Sequence, residues 1–75
     1  MLTKIVSRIK YHEQRIIELK SHVKDVWHTY ETETRFSGHD DYELKALLLW
    51  RTKEVSSSQS LIEFHEKEIE WLRSV

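Results

Sequence analysis

The sequence predicts an all-α protein, an antiparallel hairpin of two long helices that assembles into an oligomeric helical bundle. The 75 residues contain no proline and one glycine, a composition that suits long uninterrupted helices. In both halves of the chain, apolar residues recur at alternating steps of three and four, the heptad spacing of packed helices. One short polar segment separates the two halves, so we expect a single helical domain over residues 1–75.

The first half of the chain predicts a helix over about residues 3–35, with ends uncertain by a few residues. One heptad seam runs along it and is interrupted only by His12. The apolar members of this seam are Leu2, Ile5, Ile9, Ile16, Leu19, Val23, Val26 and Tyr30.

Residues 36–40 are predicted to form the turn between the helices. Gly38 can adopt the left-handed backbone conformation that ends many helices. Asp40, followed by Glu43 at the third position, has the pattern of a capping box that opens the next helix. The turn is therefore expected to close one helix at a glycine and begin the next at an aspartate.

The second half predicts a helix over about residues 41–74. Its seam consists of Leu44, Leu48, Arg51, Val55, Ser58, Ile62, His65, Ile69 and Leu72. Serine favours helix caps over helix interiors, so a break at residues 56–60, giving three helices, is the alternative. The seam keeps its phase across the serines, which favours one continuous helix.

Residues equally far from a turn near Gly38 lie at the same level of a hairpin. This rule places His12 level with His65 and Trp27 level with Trp50. It also brings the most basic segment beside the most acidic one, Lys4, Arg8 and Lys10 beside Glu63, Glu66, Glu68 and Glu70. Such exposed ion pairs contribute only about 0–1 kcal/mol each, although they help to set the register.

The chain carries more apolar surface than two seams can bury. The off-seam or crowded apolar residues are Leu47, Leu48, Leu49, Trp50, Ile17 and Trp71. Four of them are consecutive and therefore point to nearly all sides of a helix. We expect these residues to form an interface, in a two-fold dimer that makes a four-helix bundle or with another protein.

Composition and motifs argue against several function classes. The chain has 12 Lys and Arg against 13 Asp and Glu, which is not the balance of a strong nucleic-acid binder. No segment approaches the ~20 apolar residues of a membrane span, so we expect no membrane partner and a cytoplasmic location. The sequence contains no catalytic or phosphate-binding signature, which predicts that the protein is not an enzyme and needs no cofactor.

Two polar features of the seams are candidate sites. His12 and His65, with Glu68 on the same helix face as His65, could hold a metal ion, since a histidine and an acid three residues apart share a face. The competing and favoured interpretation is a pair of structural histidines bonded to neighbouring acids such as Glu13, with no metal. Arg51 is the candidate partner for a buried anion.

The alternative function is nucleic-acid binding by one edge of the first helix. Arg8, Arg15 and His22 recur every seven residues, and Tyr11 lies near them. The expected shape is similar to that of the small RNA-binding helical hairpins that control plasmid copy number, a resemblance of architecture alone. The favoured function is a small non-enzymatic interaction protein (adaptor, inhibitor or assembly subunit), of the kind found among phage and mobile-element accessory proteins.

Overall fold

A computed structural model describes residues 2–36 and 38–75. Helix α1 spans Leu2–Thr34 and helix α2 spans Asp41–Ser74. The two helices pack along their lengths as an antiparallel hairpin with extents of 57 × 15 × 11 Å. The predicted all-α hairpin is confirmed, and its assembly into an oligomeric bundle stays a prediction.

Helix α1 ends by tightening rather than by a glycine in the left-handed conformation. The Arg35 amide donates to the Glu31 carbonyl at 3.2 Å, and the Phe36 amide donates to the Glu33 carbonyl at 3.1 Å. The second bond spans three residues instead of four, which satisfies the last carbonyl groups of the helix. Gly38 has no positive φ, so the expected left-handed conformation is wrong.

Asp40 caps the start of α2, but only one half of the capping box forms. With φ −87° and ψ 176°, Asp40 accepts a hydrogen bond from the Glu43 amide at 2.8 Å. The Glu43 carboxylate does not return the bond, because it lies 2.6 Å from His39 Nδ1. His39 Nε2 lies 3.1 Å from the Glu33 carboxylate, so this imidazole joins the end of α1 to the start of α2.

Helix α2 continues through the serine cluster without interruption. Ser58 lies in the seam at 4% exposure, and its small side chain allows α1 to approach closely. Burial of this serine against α1 outweighs its weak helix propensity, since tertiary packing commonly overrides such preferences. The second half of the chain therefore forms one continuous helix, and the alternative break at residues 56–60 does not occur.

The core of the hairpin is small. Among the described residues, the buried apolar side chains are those of Leu19, Val26, Ile69 and Leu72. The accessible surface is 6192 Å². A compact folded monomer of this mass would expose about 4,900 Å². A two-helix rod can bury only one stripe of each helix, so much apolar surface stays outside.

Candidate functional site

A second heptad repeat runs along α2, rotated by about 100° from the seam that faces α1. We call its apolar members the outer stripe: Leu47, Trp50, Leu61, Phe64, Trp71 and Val75. Polar residues occupy the remaining positions of the same spacing: Glu54, Ser57 and Glu68. One helix therefore carries two parallel seams, and α1 covers one of them.

Most of the outer stripe is exposed. Phe64 is 53% exposed and Trp71 is 58% exposed, large values for aromatic side chains. Leu47 is half-buried at the edge of the seam, and Trp50 is 38% exposed. The stripe extends for about 40 Å at the helical rise of 1.5 Å per residue. An exposed apolar surface of this length is typical of an interaction site.

The six residues predicted for the interface separate into three groups. Leu47, Trp50 and Trp71 lie on the outer stripe. Leu48 occupies a seam position near the turn and is 42% exposed. Leu49 and Ile17 are exposed but lie off the stripe, so the structure does not bring the whole predicted set together.

Leu61, Phe64 and Val75 belong to the outer stripe but were not among the residues predicted for the interface. Their signal is present in the sequence, because the steps of four and three from Leu47 to Val75 form a repeat of their own. This second repeat is easily overlooked, because each of its residues from Leu47 to Trp71 lies one position before a residue of the seam that faces α1.

The basic edge of α1, formed by Arg8, Tyr11, Arg15 and His22, flanks the outer stripe. The contact that establishes this is between His22 Nε2 and the Glu54 carboxylate of α2, 3.1 Å apart. Arg15 Nη1 bonds the Glu18 carboxylate at 2.6 Å. The structure thus brings the predicted edge together, but it places carboxylates against two of its basic side chains, those of Arg15 and His22.

In the described part of the chain, the most basic segment of α1 and the most acidic segment of α2 are not joined by the expected ion pairs. Within residues 2–36 and 38–75, no ion pair joins Lys4, Arg8 or Lys10 to an acid of α2. On the opposite face of the hairpin, Arg73 of α2 pairs with Glu13 of α1 at 3.5 Å. Exposed ion pairs stabilise little, because holding two long side chains in one geometry costs entropy.

His12 and His65 meet between the helices, as the register rule predicts. Their Nδ1 atoms are 2.7 Å apart, so one ring donates its N–H and the other accepts. The Tyr11 ring packs edge-on to His12, with centroids 5.2 Å apart. The centroid of the Phe64 ring lies 6.5 Å from that of the His12 ring. His65 is 6% exposed, whereas His12 is half-buried.

Burial lowers the pKa of His65, and the nearby positive charges of His12 and Arg15 lower it further, while Glu68 acts in the opposite direction. The rings bond each other rather than an acid such as Glu13, which pairs with Arg73. In the described part of the chain, no group of three His, Cys, Asp or Glu side chains is arranged to hold a metal ion. The structure does not complete a site from His12, His65 and Glu68.

Arg51 of α2 lies over two aromatic rings of α1. Its guanidinium carbon is 4.5 Å from the ring centroid of Trp27 and 4.5 Å from that of Tyr30. Within the described residues it has no carboxylate partner, so the aromatic faces provide its electrostatic stabilisation. Its role as an anion partner stays a prediction.

Two neighbouring cavities open between the outer stripe and the basic edge. One, of about 550 Å³, lies at the open end of the hairpin and is lined by Ile5, Arg8, Trp71, Leu72 and Val75, among others. The next, of about 460 Å³, is lined by Arg8, Tyr11, His12, Glu68 and Leu72, with Ser7. This face is therefore concave in its open half.

Comparison with known protein families, with curated proteins and with solved structures finds no match to this chain. Neither helix contains a stretch long and apolar enough to cross a bilayer, within the residues that the structure describes.

Proposed function

We propose that this chain is a small non-enzymatic interaction protein that acts through protein–protein contacts made by the outer stripe of α2. The observation that carries the proposal is the length of the exposed stripe and the exposure of its aromatic side chains. Phe64 and Trp71, its central and outer aromatic residues, are more than half exposed in the isolated hairpin. Aromatic residues in a contiguous patch are the usual anchors of protein interfaces.

Nucleic-acid binding by the basic edge has weaker support. Phosphate binding requires cations whose charge is available to the backbone of the nucleic acid. Two positions of the edge already face carboxylates, at Glu18 and Glu54. The acids of α2 that flank the edge would repel phosphates, and the formal net charge of the chain is −1.

Substitution of the stripe tests the proposal against a matched control. The test variant changes Phe64 and Trp71 to glutamine, and the control changes Ile17 and Leu49 to glutamine. The control pair is at least as exposed, at 61% and 71%, but lies off the stripe. We expect the test variant alone to lose self-association in sedimentation equilibrium and partner recovery in affinity capture from the native host.

Equal behaviour of the two variants in both assays would refute the proposal. Circular dichroism must show that both remain helical, so that loss of binding is not loss of fold. Recovery of nucleic acid, with sub-micromolar affinity that disappears on changing Arg8 and Arg15 to alanine, would instead establish the alternative function.

A further inference from the structure

The outer stripe matches itself when its direction is reversed. We propose that it docks on the outer stripe of a second copy of this chain, in an antiparallel two-fold dimer whose axis passes near Leu61. This inference rests on the proposed function and names the partner that the stripe binds. The resulting assembly is a four-helix bundle in which the α2 helices of the two copies contact each other.

Reversal about Leu61 aligns the stripe position by position. Leu47 becomes level with Val75 of the other copy, and Trp50 becomes level with Trp71 of the other copy. In a two-fold interface each such pair occurs twice, so both ends of the stripe are covered by apolar side chains. Apolar residues therefore meet apolar residues at both ends of the stripe and at Leu61, while Ser57 comes level with Phe64 and Glu54 with Glu68.

The same axis sets the basic edge of α1 beside its own copy. The two histidine contacts between the helices place Leu61 level with Arg15 and Ile16. Reversal there brings Arg15 close to Arg15 of the other copy, and Arg8 level with the stretch that begins at His22. Glu18, which bonds Arg15 at 2.6 Å within each copy, reduces the repulsion between the two guanidinium groups. The orientation of the dimer is therefore selected by the apolar stripe and not by the charges of α1.

A second two-fold arrangement would stack the stripe on the basic edge of the other copy. That arrangement would set Phe64 and Leu61 against the side chains around Tyr11 and Arg15. It would remove charged groups from water without burying apolar surface on apolar surface. Because burial of apolar area is the dominant favourable term in association, the stripe-on-stripe arrangement is preferred.

The cavity at the open end of the face meets apolar side chains of the other copy. This cavity, of about 550 Å³, lies beside Trp71. Reversal about Leu61 carries Leu47 and Trp50 of the other copy over it. Both side chains come from the half of α2 near the turn, so each copy covers the cavity of the other with apolar groups.

The exposed area is sufficient for a stable dimer. The accessible surface of 6192 Å² exceeds that of a compact monomer of this mass by about 1,300 Å² per chain. A standard protein interface buries about 800 Å² per partner. One dimer interface on this face can therefore absorb most of the excess.

The register also sets the carboxylate of Glu54 against that of Glu68 in the other copy. This contact between like charges is unfavourable by itself. Each acid has a cationic or protonatable neighbour from its own α1. His22 Nε2 lies 3.1 Å from the Glu54 carboxylate, and Arg8 lines one cavity together with Glu68. These neighbours reduce the repulsion between the two carboxylates.

Single-cysteine crosslinking tests the register directly, because the chain contains no native cysteine. The change Leu61→Cys places one thiol of each copy beside the axis, within reach of disulfide formation. The control is Ser60→Cys, one residue away and pointing off the stripe. Under mild oxidation we expect a covalent dimer of twice the 9.2 kDa chain mass for Leu61→Cys and not for Ser60→Cys.

A mixing experiment separates this register from others. Residues 57 and 64 lie level with each other across the proposed interface, but neither lies level with the same residue of the other copy. The two variants are therefore Ser57→Cys and Phe64→Cys. Each variant alone should stay uncrosslinked, while an equimolar mixture should give a covalent heterodimer that a reducing agent dissociates. Circular dichroism of the reduced chains verifies that each variant is helical before oxidation.

Each other outcome has a definite meaning. A dimeric chain in which Leu61→Cys fails to crosslink, or crosslinks no better than Ser60→Cys, overturns the register while leaving the proposed function intact. A monomeric chain at micromolar concentration overturns the second copy as the partner. If the Phe64 and Trp71 substitutions also leave capture of host proteins unchanged, the proposed function fails as well.

Discussion

Replacing His12 or His65 by leucine tests a hydrogen bond enclosed between the helices. The bond joins the two Nδ1 atoms at 2.7 Å, and His65 is 6% exposed whereas His12 is half-buried. His12→Leu leaves the buried imidazole of His65 without its partner, which should lower the free energy of unfolding by about 1–3 kcal/mol. His65→Leu should cost less, because the remaining His12 can bond to water. The more exposed residue is therefore the more costly one to replace.

The double change to leucine should be far milder than the sum of the single changes. It removes both polar groups and places two apolar side chains at seam positions whose neighbours along the seams are Ile9, Ile16, Ile62 and Ile69. We expect the double variant to equal or exceed the original stability, with a coupling energy of about 0.5–3 kcal/mol in a double-mutant cycle. At about 4–8 °C per kcal/mol, thermal denaturation followed by circular dichroism resolves this. All chains must be compared at one concentration, because association shifts Tm.

The same double variant should lose a pH dependence. The pKa of His65 is lowered in the folded chain, so the unfolded chain binds more protons. The contribution of this histidine to stability is therefore complete above the unfolded pKa of about 6.5 and is lost as pH falls below it. Changing both histidines should flatten that decline. A double variant less stable than either single variant, or one that keeps the full decline, would refute the reasoning.

Other measurements test the turn and the aromatic contacts. In an NMR titration the pKa of His39 should lie above 6.5, because its ring bonds carboxylates on both sides of the turn. The contribution of His39 to stability should disappear as pH rises through this raised pKa. A pKa below 6.5 would contradict the prediction. Arg51→Met should lower the free energy of unfolding by about 1 kcal/mol in urea denaturation, because the guanidinium no longer lies over the Trp27 ring. An unchanged midpoint would mean that this contact contributes nothing to stability. Gly38→Ala should raise stability by about 0.4–1 kcal/mol, because φ is not positive. The new Cβ would lie 2.7 Å from the ring of Phe36, an exposed side chain that can turn away, and a clear loss of stability would show that it does not.

The sequence by itself determined the two helices, the turn and the level at which His12 meets His65. Heptad spacing is a local property of the chain, and it fixes the direction of each side chain relative to its own helix axis. The absence of proline and the single Gly38 then leave one place where the chain can reverse. The repeat that links Trp50, Phe64 and Trp71 was equally present in the sequence.

Only the tertiary structure decided which side chains of each helix are covered by the other helix. Spacing along a helix does not specify the neighbour, so it could not say that α1 covers one seam of α2 and leaves the outer stripe exposed. Nor could it say that His65 is buried more deeply than His12, or that His22 meets Glu54. The turn shows the same limit, because Gly38 was free to adopt a left-handed conformation that the packing of the two helix ends did not require. Burial and pairing depend on the partner surface, and that surface exists only once the two helices have packed.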